Sequence, residues 1–364
     1  MASDGCGYLE EYAEFFKNFQ EFVAKLNYDD DILPSNLKYK SGQEELIGEC
    51  LEWTLRYLRL TNCPQNLLPF ITKAALDRVK LKIDEYTQDG VLAPNMVEIV
   101  NEICLQYCGK DNPALRLLPA PPSIPIPVIS TCAIRNSRRR MENRHAIVED
   151  LDTIFNISTS RPTHYYGVFD GHSGVDAATY CSTHMHCFIA QSSNYPSDPE
   201  GALKDAFART ESLFTEKCEQ ENINGGCTAL CVLHRPVDRQ LYTAWVGDSQ
   251  AIVVSQNKIL QLVNPHKPDR VDERKRIEQA GGVVLFYGTW RVNGQLAVSR
   301  AIGDVKHKPF VSGVPDISSV SLTGDEDFLV LGCDGLWDSV KEVDVAATVY
   351  EQLQNETGES WASY

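Results

Sequence analysis

A short proline-rich segment divides this sequence into two parts of different character. Five of the nine residues from 119 to 127 are proline. Because proline fixes φ and lacks a backbone N–H, neither a helix nor a central strand can continue through the segment. The pattern predicts an extended, semi-rigid linker between a domain over 1–118 and a second domain over 128–364. A ligand for a proline-recognition domain is the alternative interpretation.

The part before the linker has the apolar periodicity of amphipathic helices. Apolar side chains recur at three- and four-residue steps from Tyr8 to Leu26, from Leu46 to Leu58 and from Met96 to Tyr107. We expect Asn95 to be the N-cap of the last helix. None of these stretches carries a cluster of catalytic residue types. The pattern predicts a small helical domain, and its placement suggests regulation, docking or binding to a scaffold.

The part after the linker contains short β-rich runs separated by hairpins and helices. We expect strands over 165–169, 228–233, 241–246, 251–255 and 328–333, and helices over 201–216, 271–280 and 343–353. Asn293-Gly294 is a strong two-residue hairpin signal between 290–292 and 296–298. Strands dominate without a regular strand–helix alternation, which predicts an α+β fold.

Charge and hydropathy exclude several classes of protein. The net charge of −16 over 364 residues argues against nucleic-acid binding, which needs a basic field. We find neither a secretory signal at the N-terminus nor an apolar run long enough to span a membrane. The twelve cysteines are therefore expected to be free thiols in a reducing compartment. The expected location is the cytoplasm, and nothing in the sequence separates it from the nucleus.

Three aspartates stand at the ends of apolar runs, each beside a glycine. They are Asp170, Asp248 and Asp334, and His172 follows the first of them. A single Asp-Gly pair is usually a plain turn. Several converging carboxylates, however, repel one another unless cations bind between them. Oxygen ligands suit Mg²⁺ or Mn²⁺, so the three strand ends together predict a metal centre.

Seven segments in order resemble the successive motifs of the metal-dependent protein serine/threonine phosphatases of type 2C. They are RRRMENRH at 138–145, DGHSG at 170–174, GGCTA at 225–229, GDS at 247–249, PHKP at 265–268, LAVSRAIGD at 296–304 and DGLWD at 334–338. The helical extension and the segment 290–294 (WRVNG) resemble the branch that dephosphorylates calmodulin-dependent and p21-activated kinases.

The resemblance implies a four-layer α-β-β-α sandwich of two antiparallel sheets with a two-metal centre at one edge. Asp170 would bridge two Mg²⁺ or Mn²⁺ ions. Glu142 and the backbone carbonyl of Gly171 would complete one metal site, and Asp334 would bind the other ion. Asp248, together with Asp334, would hold a third and weaker ion.

The resemblance also implies a reaction and a substrate class. Arg138 would bind the substrate phosphate, because a guanidinium matches phosphate oxygens two at a time. Two cations would activate a water molecule for direct attack on phosphorus. His172 would then protonate the leaving oxygen of serine or threonine. The expected substrates are phosphoserine and phosphothreonine in proteins, protein kinases among them.

Two departures from the family pattern leave a second hypothesis open. Asn143 stands where the family usually has Asp after the liganding Glu. The sequence also ends at Tyr364, before the late Asp-Asn that supplies a further metal ligand in the family. On this basis the catalytic domain is expected to be incomplete at its C-terminus. The alternative to an active enzyme is a phosphatase-like module that binds phosphoproteins or a scaffold with weak or no turnover.

Overall fold

The chain forms two compact units in a computed structural model. The structure describes residues 7–26, 42–81, 92–109, 112–122, 126–158, 161–256 and 258–357. One unit comprises Met1–Ile134 and Val148–His164, and the other comprises Arg135–Ile147 and Tyr165–Tyr364. Residues 148–164, which lie after the expected linker, thus belong to the first unit. Among the described helices, none is long and apolar enough to cross a bilayer.

The first unit consists mainly of helices over the ranges that the structure describes. Its helices are α1 (Gly7–Val23), α2 (Leu46–Leu60), α3 (Leu68–Lys80), α4 (Leu92–Leu105) and α5 (Leu151–Ile154). The three predicted stripes lie on α1, α2 and α4. Asn95 was wrongly expected to cap the last of them, because α4 already begins at Leu92. The first four N–H groups of a helix have no acceptor within it, so Pro94 is tolerated in that first turn.

Aromatic side chains fill the centre of the first unit. Phe19 of α1 lies edge-on to Tyr57 of α2, with ring centroids 6.1 Å apart. Phe16 stacks on Tyr107, just beyond α4, at 5.2 Å. The Tyr57 hydroxyl donates a 2.8 Å hydrogen bond to Asn101 Oδ1 of α4. The apolar stripes of these helices therefore face one another, as their spacing predicts.

Thirteen strands are found in the described residues. They are β1 (Arg144–Val148), β2 (His164–Phe169), β3 (Gly171–His172), β4 (Gly226–Cys227), β5 (Ala229–Arg235), β6 (Gln240–Val246), β7 (Gln250–Ser255), β8 (Lys258–Gln261), β9 (Val284–Tyr287), β10 (Thr289–Val292), β11 (Ile302–Gly303), β12 (Asp316–Ser321) and β13 (Phe328–Gly332). They form sheets in the orders β1-β2-β5-β6-β12, β13-β7-β8, β11-β4-β3 and β10-β9.

The helices of the second unit are α6 (Asp176–Gln191), α7 (Pro199–Glu221), α8 (Val271–Gln279), α9 (Asp334–Trp337) and α10 (Glu342–Thr357). Antiparallel pairing joins β5 to β6, β6 to β12 and β7 to both β8 and β13. Leu230 and Trp245 of the five-stranded sheet share one buried cluster with Val253 of the β13-β7-β8 sheet. The predicted α+β class with antiparallel sheets is confirmed.

The hairpin expected around Asn293-Gly294 is only partly present. Both residues have positive φ, and Val292 N–H donates to Leu296 O at 2.8 Å, as a tight turn requires. The pairing beyond the turn is a single bridge between those two residues. Instead, β10 pairs along its whole length with β9 on its other side. The local turn was therefore predicted correctly, and the partner of the strand was not.

Candidate metal centre

Two of the predicted carboxylates meet where two strands end. Asp170 follows β2, and Asp334 begins α9 two residues after the end of β13. Oxygens of these two carboxylates and Cys333 Sγ all lie within 4.8 Å of one another, and the three side chains are half-buried. Oxygen donors at this spacing fit a divalent cation such as Mg²⁺ or Mn²⁺. Among the described residues this is the one group of three or more such donors.

The raised pKa of Asp170 indicates that a positive charge would stabilise the carboxylates of Asp170 and Asp334. Burial raises the pKa of Asp170 to about 7, and the charge of Asp334, a hydrogen bond with Asp334 and the charge of Asp248 act in the same direction. Ionisation of both carboxylates at this separation is unfavourable because the two negative charges repel each other. A proton therefore remains between them at moderate pH. A divalent cation can replace that proton, and the residues present therefore fit a metal ion.

Asp248 lies in the turn between β6 and β7 and is only 4% exposed. Its Oδ2 is 2.5 Å from the Lys267 ammonium. Burial raises the pKa of Asp248, the charge of Lys267 opposes that shift, and the charge of Asp334 adds to it. The charge of Asp334 therefore acts on Asp248, but Asp248 forms an ion pair with Lys267. Asp248 lies outside the compact donor group.

The turn that carries Asp248 is fixed by a buried histidine. His266 Nδ1 accepts a 3.1 Å hydrogen bond from the Gly247 backbone N–H. The backbone N–H of His266 donates to Gly247 O at 2.9 Å. His266 and Lys267 are neighbours in the PHKP segment. One short segment thus holds both the backbone and the carboxylate of the GDS turn.

The backbone of Glu142 packs against Gly171, the residue after Asp170. A Cβ atom at Gly171 would collide with the carbonyl oxygen of Glu142, so only glycine permits this close approach. The structure thereby brings the Glu142 backbone next to Gly171, and the metal site that they are expected to share stays a prediction. The Glu142 carboxylate is not part of the compact group formed by Asp170 and Asp334.

Arg138 lies on the surface of the second unit. The residue is exposed, and its backbone N–H donates to Arg135 O at 3.3 Å in a turn before β1. Within the described residues, its guanidinium makes no ion pair with Asp170, Asp248 or Asp334. The structure therefore leaves this arginine accessible to a ligand, and its expected role in phosphate binding stays a prediction.

His172 has a partner that the sequence did not identify. Its Nε2 lies 2.7 Å from Asp304 Oδ2. Burial alone would lower the pKa of His172, but the hydrogen bond and the charge of Asp304 outweigh burial and raise it. Asp304 ends the LAVSRAIGD motif. Its signal was an aspartate directly after a glycine, at the end of a largely apolar stretch, which local sequence alone does not link to His172.

Comparison with known proteins finds one matching family model and several related proteins. A family model described as Protein phosphatase 2C matches residues 128–363. Mouse Protein phosphatase 1E is 38% identical over 343 residues, which cover 90% of this chain and 45% of that protein. Rat Protein phosphatase 1F is 37% identical, over 98% of this chain and 82% of that protein. The chain therefore spans less than half the length of Protein phosphatase 1E.

Solved structures share the fold at low sequence identity. A C. elegans sex determining protein superposes with a TM-score of 0.70 at 23% identity, covering 94% of this chain and 85% of that one. Serine-threonine phosphatase 2C from Toxoplasma gondii gives a TM-score of 0.54 at 22% identity, covering 60% of this chain and 81% of that one. At such identities the likeness concerns the fold alone.

Proposed function

Because the chain belongs to the protein phosphatase 2C family, whose members depend on Mg²⁺ or Mn²⁺, we propose that it hydrolyses phosphoserine and phosphothreonine in other proteins. The observation that carries this proposal is the convergence of Asp170 and Asp334 at neighbouring strand ends, with His172 beside them. The comparisons give no support to the alternative of a binding module without turnover.

We propose that Asp170 and Asp334, with Glu142 and the Gly171 carbonyl, hold two divalent ions, and that Asp248 with Asp334 holds a third and weaker one. When bound, the ions activate water for attack on phosphorus and stabilise the charge that develops on the phosphate oxygens. The raised pKa of Asp170 supports this assignment, because a cation relieves the repulsion that raises it.

The remaining steps fall to two side chains of the protein. Arg138, exposed beside β1, binds two oxygens of the substrate phosphate. His172 gives a proton to the serine or threonine oxygen as the phosphorus–oxygen bond breaks, because an unprotonated alkoxide is a poor leaving group. With its ring 27% exposed, His172 is open to a substrate bound at the surface.

The finer points of the architecture and biology are proposals too. We propose a four-layer sandwich over 128–364, linked through 119–127 to a helical regulatory domain over 1–118 that binds a scaffold. Protein kinases are the proposed substrates, in line with the resemblance of the WRVNG segment at 290–294. The proposed location is the cytoplasm, with the nucleus as a second site.

Phosphate release from a phosphothreonine peptide tests the proposed activity. The wild-type chain is expected to release phosphate with Mn²⁺ and not with EDTA, and Asp170→Asn is expected to reduce the rate to background. Asp325→Asn is the matched control, because it makes the same change in an exposed loop. Background rates in all three proteins with Mn²⁺ would refute the phosphatase and favour a binding module.

A further inference from the structure

We infer that Asp304 is a positioning residue for the reaction: it fixes the His172 ring through Nε2 and so reserves Nδ1 as the nitrogen that serves the leaving group. This inference rests on the proposed function. Its basis is the 2.7 Å contact between His172 Nε2 and Asp304 Oδ2. Asp304 is only 5% exposed, so water competes little for its carboxylate.

A small sheet holds the two side chains in register. In the β11-β4-β3 sheet, Gly226 pairs with His172 on one side and with Gly303 on the other. Asp304 follows Gly303 directly, and its N–H donates to Gly225 O at 3.0 Å. The histidine therefore lies on one outer strand of the sheet and the aspartate directly follows the other, with β4 between them.

The space for the Asp304 carboxylate depends on Gly226 of β4. A Cβ atom at Gly226 would lie 2.5 Å from Asp304 Oδ2 and 2.6 Å from Ile302 O. The carboxylate thus packs directly against the Gly226 main chain. Asp304 itself has a φ of 52°, a left-handed conformation that costs an ordinary residue free energy. The surrounding fold therefore stabilises an unfavourable backbone conformation at the residue whose carboxylate contacts His172.

The direction of the hydrogen bond determines which nitrogen can act. A carboxylate only accepts, so Nε2 keeps its proton and donates it to Asp304. The Nδ1 proton is then the one available to the substrate. As the phosphorus–oxygen bond breaks, its electron pair stays on the serine or threonine oxygen, which takes the proton from Nδ1. The ring is left neutral, with Nε2–H still donated to Asp304.

The leaving group of the substrate separates this role from a purely structural one. A serine or threonine alkoxide needs a proton, whereas p-nitrophenolate leaves readily without one. In Asp304→Asn, the amide can donate to Nε2 and so favour the wrong tautomer. We expect kcat for a phosphothreonine peptide to fall by about 10–100-fold. The rate with p-nitrophenyl phosphate and both KM values should change by less than about threefold.

The inference also predicts how two substitutions combine. His172→Gln should show the same selective loss on the peptide, and the double variant should lose little more than His172→Gln alone, because both act through one proton. Equal losses on the peptide and on p-nitrophenyl phosphate would mean that Asp304 only supports the fold. No loss on either substrate would mean that it is dispensable.

A measurement on the wild-type chain keeps the test valid if Asp304→Asn fails to fold. In protein labelled with ¹⁵N-histidine, the neutral His172 ring should carry its proton on Nε2, with the resonance assigned by its absence from His172→Gln. A neutral ring protonated on Nδ1 overturns the inference. Wild-type protein that hydrolyses neither substrate refutes the proposed function instead, and the NMR result still decides whether Asp304 orients the ring.

Discussion

Replacing Asp170 by asparagine is expected to stabilise the metal-free protein while removing its response to Mn²⁺. In the metal-free fold, burial and the neighbouring carboxylates raise the pKa of Asp170 from 3.8 to about 7. The ionised form is therefore less favourable in the folded chain than in the unfolded one. Asparagine has the same shape, carries no charge and can still donate a hydrogen bond to Asp334.

The sign and size of the effect follow from proton linkage. Between pH 3.8 and about 7 the folded chain keeps a proton on Asp170 that the unfolded chain has released. The free energy of unfolding consequently falls as the pH rises through this window, and the whole penalty is present above it. A shift of about 3 units corresponds to about 4 kcal/mol. Relaxation of the half-buried site lowers this figure, so we expect a gain of about 1–4 kcal/mol for Asp170→Asn at pH 8.

Urea unfolding in EDTA measures this gain, and Asp316→Asn is the control of opposite sign. The ring of His266, whose Nε2 lies 3.1 Å from Asp316 Oδ2, holds the pKa of Asp316 well below its usual range, and Arg300 and Arg270 act in the same direction. The same substitution should therefore destabilise the protein at that position. At pH 5 the gain from Asp170→Asn should shrink, because the folded wild type is then largely protonated.

Addition of Mn²⁺ should reverse the order of stability. Wild-type protein gains stability with rising Mn²⁺ because the ion binds the folded state, and Asp170→Asn should gain much less. If Asp170→Asn is less stable than wild type in EDTA at pH 8, the carboxylates do not repel one another as inferred. A gain that stays the same at pH 5 would likewise show that charge is not its cause.

Three further substitutions test other parts of the chain by urea unfolding. Burial would raise the pKa of Glu273, but hydrogen bonds from two arginines and a serine lower it to about 2, so Glu273→Gln should cost about 3 kcal/mol at pH 7 and less as the pH falls from 4.5 towards 2. Lys267→Met leaves buried Asp248 without its cation and should cost about 1–3 kcal/mol in EDTA, partly restored by Mn²⁺. Tyr57→Phe removes the buried hydrogen bond to Asn101 Oδ1 and should cost about 1–2 kcal/mol.

Local periodicity predicted much of the fold, and its failures have physical causes. The expected helices over 201–216, 271–280 and 343–353 correspond to α7, α8 and α10. The sequence did not predict α3, although Ile71, Ala75 and Val79 follow a helical spacing. Pro69 lies in the first turn of α3, where a proline loses no hydrogen bond. Pro94 is tolerated in the first turn of α4 for the same reason, so that helix begins at Leu92, before Asn95.

Contacts between distant residues were the part of the site that sequence could not supply. Asp170 and Asp334 were expected together because each ends an apolar strand, and they do meet. Asp304 lies 132 residues from His172, and only the pairing of β3, β4 and β11 brings the two together. The periodicity of a short strand shows that it is a strand, but it does not show which strand lies beside it.

The glycines of the site explain why its carboxylates can be strained and functional at once. Gly171 lets the Glu142 backbone approach the residue next to Asp170, and Gly226 lets the Asp304 carboxylate pack against main chain. In both places the approach is closer than a Cβ atom would allow, and burial limits the solvation of Asp170 and Asp304. Repulsion between the carboxylates is thereby built into the metal-free fold, and a bound cation relieves it. For removal of the Asp170 charge, metal affinity and metal-free instability are therefore two consequences of the same packing, and Asp170→Asn should lower both.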